Sequence, residues 1–142
     1  MIECKRVFLD TAPVIYYLQQ DEKYFKKVKN IFYNLRTSKA SFVSSDIMLA
    51  EYSVFPLRTG KENLLRALNE FVVLADVEIV HTSNEIAMQT ARIRADYKGF
   101  KSMDAFQIAT AVISGCDLFL TNDKQLRQYR DMKCTTVEDF DI

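Results

Sequence analysis

Short apolar runs of β character alternate along this chain with longer stretches of helical period, and that alternation restricts the fold more than any other feature. The strand candidates are Arg6–Leu9, Ser41–Ser44, Val77–His81, Leu118–Thr121 and, more weakly patterned, Lys133–Val137. Tyr24, Phe25, Val28, Ile31, Phe32 and Leu35 follow the i, i+4, i+7, i+8 spacing of one helix face. Leu64–Leu74, Glu85–Tyr97 and Ala105–Ile113 read as further helices. Pro13 suits a first turn after Thr11, Ser83 and Ser102 suit N-caps, and Gly60, Gly99 and Gly115 suit helix ends. Strands separated by helices pair in parallel through right-handed crossovers. The expected product is an α/β fold: a three-layer α/β/α sandwich around a central, mainly parallel sheet of four to five strands.

The length, 142 residues, suits one domain over 1–142 with a substantial core. Three glycines and two prolines leave no room for a flexible linker. No apolar run approaches the ~20 residues of a membrane span, and the N-terminal residues lead into a strand pattern without a signal peptide, so a soluble, cytoplasmic protein is expected. Cys4, Cys116 and Cys134 are odd in number and widely spaced, which argues against a disulfide framework and against a zinc site. Lys plus Arg equal Asp plus Glu at 19 each, so net charge gives no support to bulk attraction to nucleic acid and leaves a local basic surface open.

In open parallel sheets the ligand crevice lies beyond the carboxyl ends of the strands, where strand order changes direction. Asp10 closes the run Val7-Phe8-Leu9, and Asp123 follows Leu118-Phe119-Leu120 across Thr121-Asn122. If the two share a site, their strands are neighbours. Asp104 opens the helical run Asp104-Ala105-Phe106-Gln107-Ile108-Ala109-Thr110-Ala111, at the end of a crossover helix that faces the same edge. Glu51 lies about six residues into its helix, ~9 Å along the axis, so that helix must lean over the crevice to bring it in. Each acid alone has an ordinary explanation as a cap or a surface charge. The apolar neighbours of Glu51 (Ile47, Met48, Leu49, Tyr52, Val54, Phe55) point to a desolvated carboxylate that needs a partner. Asp46, Asp76 and Asp96 also stand near element ends, and Asp117 precedes its strand, at the opposite edge. Converging carboxylates repel and raise one another's pKa unless a cation neutralises them, and oxygen donors suit Mg²⁺ or Mn²⁺.

The runs Val7-Phe8-Leu9-Asp10-Thr11, Asp104-Ala105-Phe106-Gln107-Ile108-Ala109-Thr110-Ala111 and Asp117-Leu118-Phe119-Leu120-Thr121-Asn122-Asp123, with a glutamate in the helix after the second strand, resemble PIN-domain nucleases. The prokaryotic members of that family include the VapC-type toxins of toxin–antitoxin modules. The resemblance spans nearly the whole chain and implies a Mg²⁺- or Mn²⁺-dependent ribonuclease with Asp10, Glu51, Asp104 and Asp123 as its acidic quartet. It implies Thr121 as the hydroxyl beside the quartet and products with a 5′-phosphate and a 3′-hydroxyl. It also implies an RNA substrate and a cognate antitoxin protein as partner. Metal chemistry by itself makes Asp10 and Asp104 the expected direct ligands, with Asp123 and Glu51 completing a second metal or orienting the water.

Other designs fit less well. His81 is the only histidine and no nucleophile motif accompanies it, so a structural role is expected. No Gly-rich phosphate loop is present. A phosphoaspartate receiver wants an acidic pair near the first strand, and a haloacid-type phosphatase wants an aspartate where this chain has Ala12. A non-catalytic scaffold is the remaining rival, against which four retained acids speak. Arg58, Lys61, Arg94, Lys98, Lys101 and Lys124 are the basic positions expected to flank the crevice. The helix around Glu51 is apolar over more of its circumference than one core-facing stripe requires, which points to a homodimer, the alternative being that Pro56 kinks the segment and Leu64–Leu74 folds over its second face within one chain.

Overall fold

The computed structural model describes residues 4–141. Five strands form one sheet: β1 (Arg6–Leu9), β2 (Ser41–Ser45), β3 (Glu78–Val80), β4 (Leu118–Thr121) and β5 (Lys133–Thr136). Their order is β3-β2-β1-β4-β5 and every pairing is parallel. The helices are α1 (Thr11–Leu18), α2 (Phe25–Thr37), α3 (Asp46–Thr59), α4 (Glu62–Leu74), α5 (Asn84–Asp96) and α6 (Ser102–Ile113), with a 3-10 turn at Lys124–Gln128. The chain winds outward from β1 to β3, crosses back to β4 and ends at β5. The order therefore reverses between β1 and β4, the pair that carries Asp10 and Asp123.

Alternation along the strands separates two cores. Val7, Leu9, Phe42, Leu118 and Leu120 point to one face and pack under α1, α2, α3 and α4 through Val14, Ile31, Leu35, Met48, Tyr52 and Leu68. Phe8, Val43 and Phe119 point to the other face, against Ile86 and Ile93 of α5 and Ile108 of α6. The rings of Phe8 and Phe119 stack at 5.2 Å across the central strand pair. Strands buried on both faces need continuous apolar runs, which is why the central strands stand out in the sequence.

The helix ends modify the sequence reading. Ser83 caps α5 by accepting from the Ile86 N–H at 3.2 Å, and Gly60 ends α3 at φ +66°. Ser102 is instead the first residue of α6, with Lys101 at the cap position and no side-chain cap bond. Gly99 lies beyond the end of α5, where its carbonyl accepts from Gln125 Nε2 at 2.9 Å. The third strand stops at Val80, so His81 lies just past it, exposed, with Nδ1 3.7 Å from Asp46 Oδ2. All three cysteines are free. Among the described residues no helix is long and apolar enough to cross a membrane.

In α3, Met48, Tyr52 and Pro56 are buried, and the Tyr52 hydroxyl donates to the Leu64 carbonyl at 2.9 Å. The following helix thus covers one side of α3. Val54, Phe55 and Leu57 remain exposed at 44%, 47% and 68%, so one apolar flank is left uncovered by the chain itself.

Gly60 has open space where a Cβ would go, so its substitution costs conformation only. Gly60→Ala should lower stability by about 1 kcal/mol, with Gly60→Asn closer to the parent, in urea denaturation. An unchanged midpoint for Gly60→Ala would contradict the left-handed end of α3.

Candidate active site

Asp10 stands at the carboxyl end of the central strand and caps α1, with its backbone N–H donating to the Leu120 carbonyl at 2.9 Å. Its side chain is buried in a frame of donors. Oδ1 accepts from the Thr11 N–H at 2.8 Å and, more distantly, from Gln107 Nε2 at 3.4 Å. Oδ2 accepts from the Thr121 hydroxyl at 2.7 Å. Thr121 is fully buried at the end of β4, and its Oγ1 also accepts from the Asp123 N–H at 3.1 Å. One hydroxyl therefore ties Asp10 to the backbone of Asp123.

A second branch reaches α3. The Thr11 hydroxyl donates to Glu51 Oε1 at 2.7 Å, which shows that the helix does lean over the crevice. The expected desolvation of Glu51 is not found: the residue is exposed, on the open side of α3, and the apolar neighbours in sequence lie on its other faces. Its role at the rim therefore rests on the bond to Thr11. Asp123 is also exposed, and its Oδ1 accepts from the Gln125 N–H at 3.0 Å, capping the 3-10 turn. Asp104 is half-buried in the first turn of α6.

Electrostatics join the four. Burial pushes the Asp10 carboxyl up to about 6; the Thr121 and Thr11 hydrogen bonds pull it down, while Asp104 and Glu51 push it further up. Asp104 is raised by burial first, then by Asp123 and Glu51, with Lys101 opposing. Asp10, Glu51, Asp104 and Asp123 thus share one electrostatic neighbourhood at the strand carboxyl ends. Asp117 lies at the opposite edge, where Oδ2 accepts from the backbone N–H of Lys5 at 2.9 Å.

Two buried members of the frame escape a reading by residue type. Gln107 is 1% exposed, with Nε2 3.4 Å from Asp10 Oδ1 and 3.5 Å from Thr11 Oγ1. Its Oε1 accepts from the Ser45 hydroxyl, which in turn accepts from the Met48 N–H at 3.2 Å as the cap of α3. The signal for Gln107 is its place three residues after Asp104, the same helix face, amid apolar positions. The donor set suits a hard cation: carboxylate and hydroxyl oxygens only, with repulsion that a cation would relieve. Among the described residues no three His, Cys, Asp or Glu side chains stand close enough to enclose an ion, and a Mg²⁺ that keeps several waters needs no such enclosure.

The family model of the PIN domain matches residues 7–132. The chain belongs to the PIN-domain family. Solved structures share the fold: VapBC2 from Rickettsia felis bound to promoter DNA matches with TM-score 0.75 and 17% identity, over 92% of this chain and 98% of that one. VapBC from Salmonella typhimurium bound to DNA matches with TM-score 0.74 and 19% identity, over 94% and 98%. VapC20 of Mycobacterium tuberculosis, a sarcin-ricin loop cleaving toxin, matches with TM-score 0.65 and 17% identity, over 89% and 98%. No curated protein matches the chain in sequence.

In this PIN domain the raised carboxyl of Asp10 sets a pH dependence. The folded chain holds the Asp10 proton more tightly than the unfolded chain, so this group stabilises the metal-free protein fully below about 4. That contribution, roughly 3 kcal/mol, fades as pH rises through about 6. Asp10→Asn should therefore be more stable than the parent at pH 7 in EDTA, with the gap closing toward pH 4, measured by urea denaturation at each pH. A gap independent of pH would contradict the burial of an ionisable Asp10.

Proposed function

We propose that this PIN domain, folding as one unit over 1–142, is a Mg²⁺- or Mn²⁺-dependent endoribonuclease of the cytoplasm and the toxin of a toxin–antitoxin pair. The observation that carries the reading is the buried Asp10 carboxylate, framed by Thr11, Thr121 and Gln107, with Asp104, Glu51 and Asp123 acting on the same space. Family membership and the VapBC and VapC20 likenesses support it. A non-catalytic scaffold has no use for four acids at one strand edge.

Asp10 and Asp104 are the residues that would hold the cation directly, with Glu51 and Asp123 at the exposed rim binding through water or aligning it. A bound divalent ion supplies a hydroxide-like water near neutral pH and neutralises charge developing on the scissile phosphate. Thr121 keeps Oδ2 of Asp10 in place, and its bond to the Asp123 N–H fixes the spacing of those two acids. Thr11 does the same for Glu51. Burial of Asp10 excludes water from the inner side of the site, and the exposed rim admits the RNA strand. Lys101, which acts on Asp104, is placed to counter phosphate charge.

Two surfaces support partners. An open groove of about 480 Å³ between α2 and α4 is lined by Tyr17, Phe32, Tyr33, Phe71 and Leu74, an apolar seat for a segment of the antitoxin. The exposed flank of α3, with Val54, Phe55 and Leu57, is the face through which two copies pair. Phe55→Glu should convert a dimer to a monomer in light scattering; a parent that already runs as a monomer of 16.5 kDa would refute pairing.

Purified protein should cleave RNA in Mn²⁺ or Mg²⁺ and stop in excess EDTA. Asp10→Asn and Asp104→Asn should each lower turnover by at least about a hundredfold with the fold retained, whereas Asp117→Asn should stay near the parent. Cleavage that persists in EDTA, or in both site variants, would refute the assignment.

A further inference from the structure

A basic cluster adjoins the acidic crevice on its β4–β5 side. Lys23 Nζ lies 3.6 Å from Glu138 Oε1, and Lys124 Nζ lies 3.3 Å from Oε2. The Tyr24 hydroxyl donates to Oε1 at 2.8 Å, and Lys27 Nζ donates to the Glu138 carbonyl at 2.5 Å. Three links join this cluster to the site. Lys124 directly follows Asp123, and Glu138 lies two residues past β5, whose end is level with Thr121 of β4. In addition, the Tyr24 ring stacks on Tyr16 at 4.6 Å, and the Tyr16 hydroxyl accepts from Asn122 Nδ2 at 2.9 Å, between Thr121 and Asp123.

Holding down the end of the chain does not explain the cluster. Val137 and Phe140 are buried at 0% and 6% exposure, and the Asp139 N–H donates to Thr136 Oγ1 at 3.1 Å, so that segment is anchored without the lysines. Glu138 is the carboxylate that Lys23 and Lys124 share, while Asp139 pairs with Arg127 and Asp21 accepts from the Lys23 and Tyr24 backbone N–H groups. Lys23 and Lys124 are 73% and 63% exposed, so both are free to turn toward an incoming ligand. Exposed ion pairs are weak, and a phosphodiester offers the same oxygen acceptors as the carboxylate it would displace.

We propose that Lys23, Tyr24 and Lys124 form a phosphate-backbone subsite for single-stranded RNA beside the scissile position, and that Glu138 is an internal competitor that occupies it in the free protein. This rests on the ribonuclease reading and names where the strand leaves the catalytic crevice. Glu138 then lowers affinity for short or weakly bound strands and yields to RNA that also fills the acidic site.

The test is fluorescence anisotropy with a labelled single-stranded RNA of mixed sequence, in the non-cleaving Asp10→Asn protein across a salt titration. Adding Lys23→Ala and Lys124→Ala should weaken binding and lower the slope of log K against log salt by roughly 0.7 for each phosphate that is no longer neutralised. Adding Glu138→Gln should instead strengthen binding severalfold. Unchanged affinity and slope in the lysine variant overturn the subsite. Unchanged or weaker binding with Glu138→Gln, accompanied only by a lower melting temperature, overturns the competitor and makes the cluster a clamp on the chain end. Absence of RNA binding by the Asp10→Asn protein itself refutes the ribonuclease reading, a result separable from either of these.

Discussion

A single desolvated carboxylate governs the organisation of this molecule. Asp10 sits at the end of the central strand, where burial opposes its ionisation and neighbouring acids oppose it further. Three donors, the Thr11 N–H, the Thr121 hydroxyl and the Gln107 amide, offset part of that penalty. The rest is left to be relieved by protonation or by a cation. A buried acid with this balance is poor for stability and well suited to binding a positive ion.

The sheet order makes this possible. With β1 flanked by β2 and β4, the strand that ends in Asp10 receives Thr121 from one neighbour and, through Ser45 and Gln107, the cap of the helix that follows the other. The hydrogen bonds then run outward from the buried centre to the exposed rim: Thr11 to Glu51 and Thr121 to Asp123. The result is a gradient from a rigid, dry inner acid to solvated outer acids. Under the proposed ribonuclease function, such a gradient would separate holding an ion from handling the water and phosphate around it.

The central strands were legible because burial on both faces demands continuous apolar runs, so Val7-Phe8-Leu9 and Leu118-Phe119-Leu120 stand out without any polar–apolar alternation. Their adjacency followed from placing Asp10 and Asp123 in one crevice. Helix ends were less legible: Ser102 has a cap-forming hydroxyl and Gly99 a permissive backbone, yet Lys101 and Tyr97 occupy the cap positions. Glu51 shows the limit of composition, since apolar sequence neighbours lie on other faces of α3 and leave its carboxylate exposed. Gln107 and Ser45 resemble ordinary polar residues until tertiary packing buries them together. The cluster of Lys23, Lys124 and Glu138 joins three distant segments, and no local pattern announces it.

Without a cation Asp10 should hold its proton up to about pH 6, well above the ordinary carboxylate range, and carbon-13 NMR of its carboxyl group measures this directly. In metal-free protein the Asp10 resonance should titrate at about 6, and saturating Mg²⁺ should move that midpoint well down. A midpoint near the ordinary 3.8 that Mg²⁺ leaves unchanged would contradict a buried, cation-seeking carboxylate.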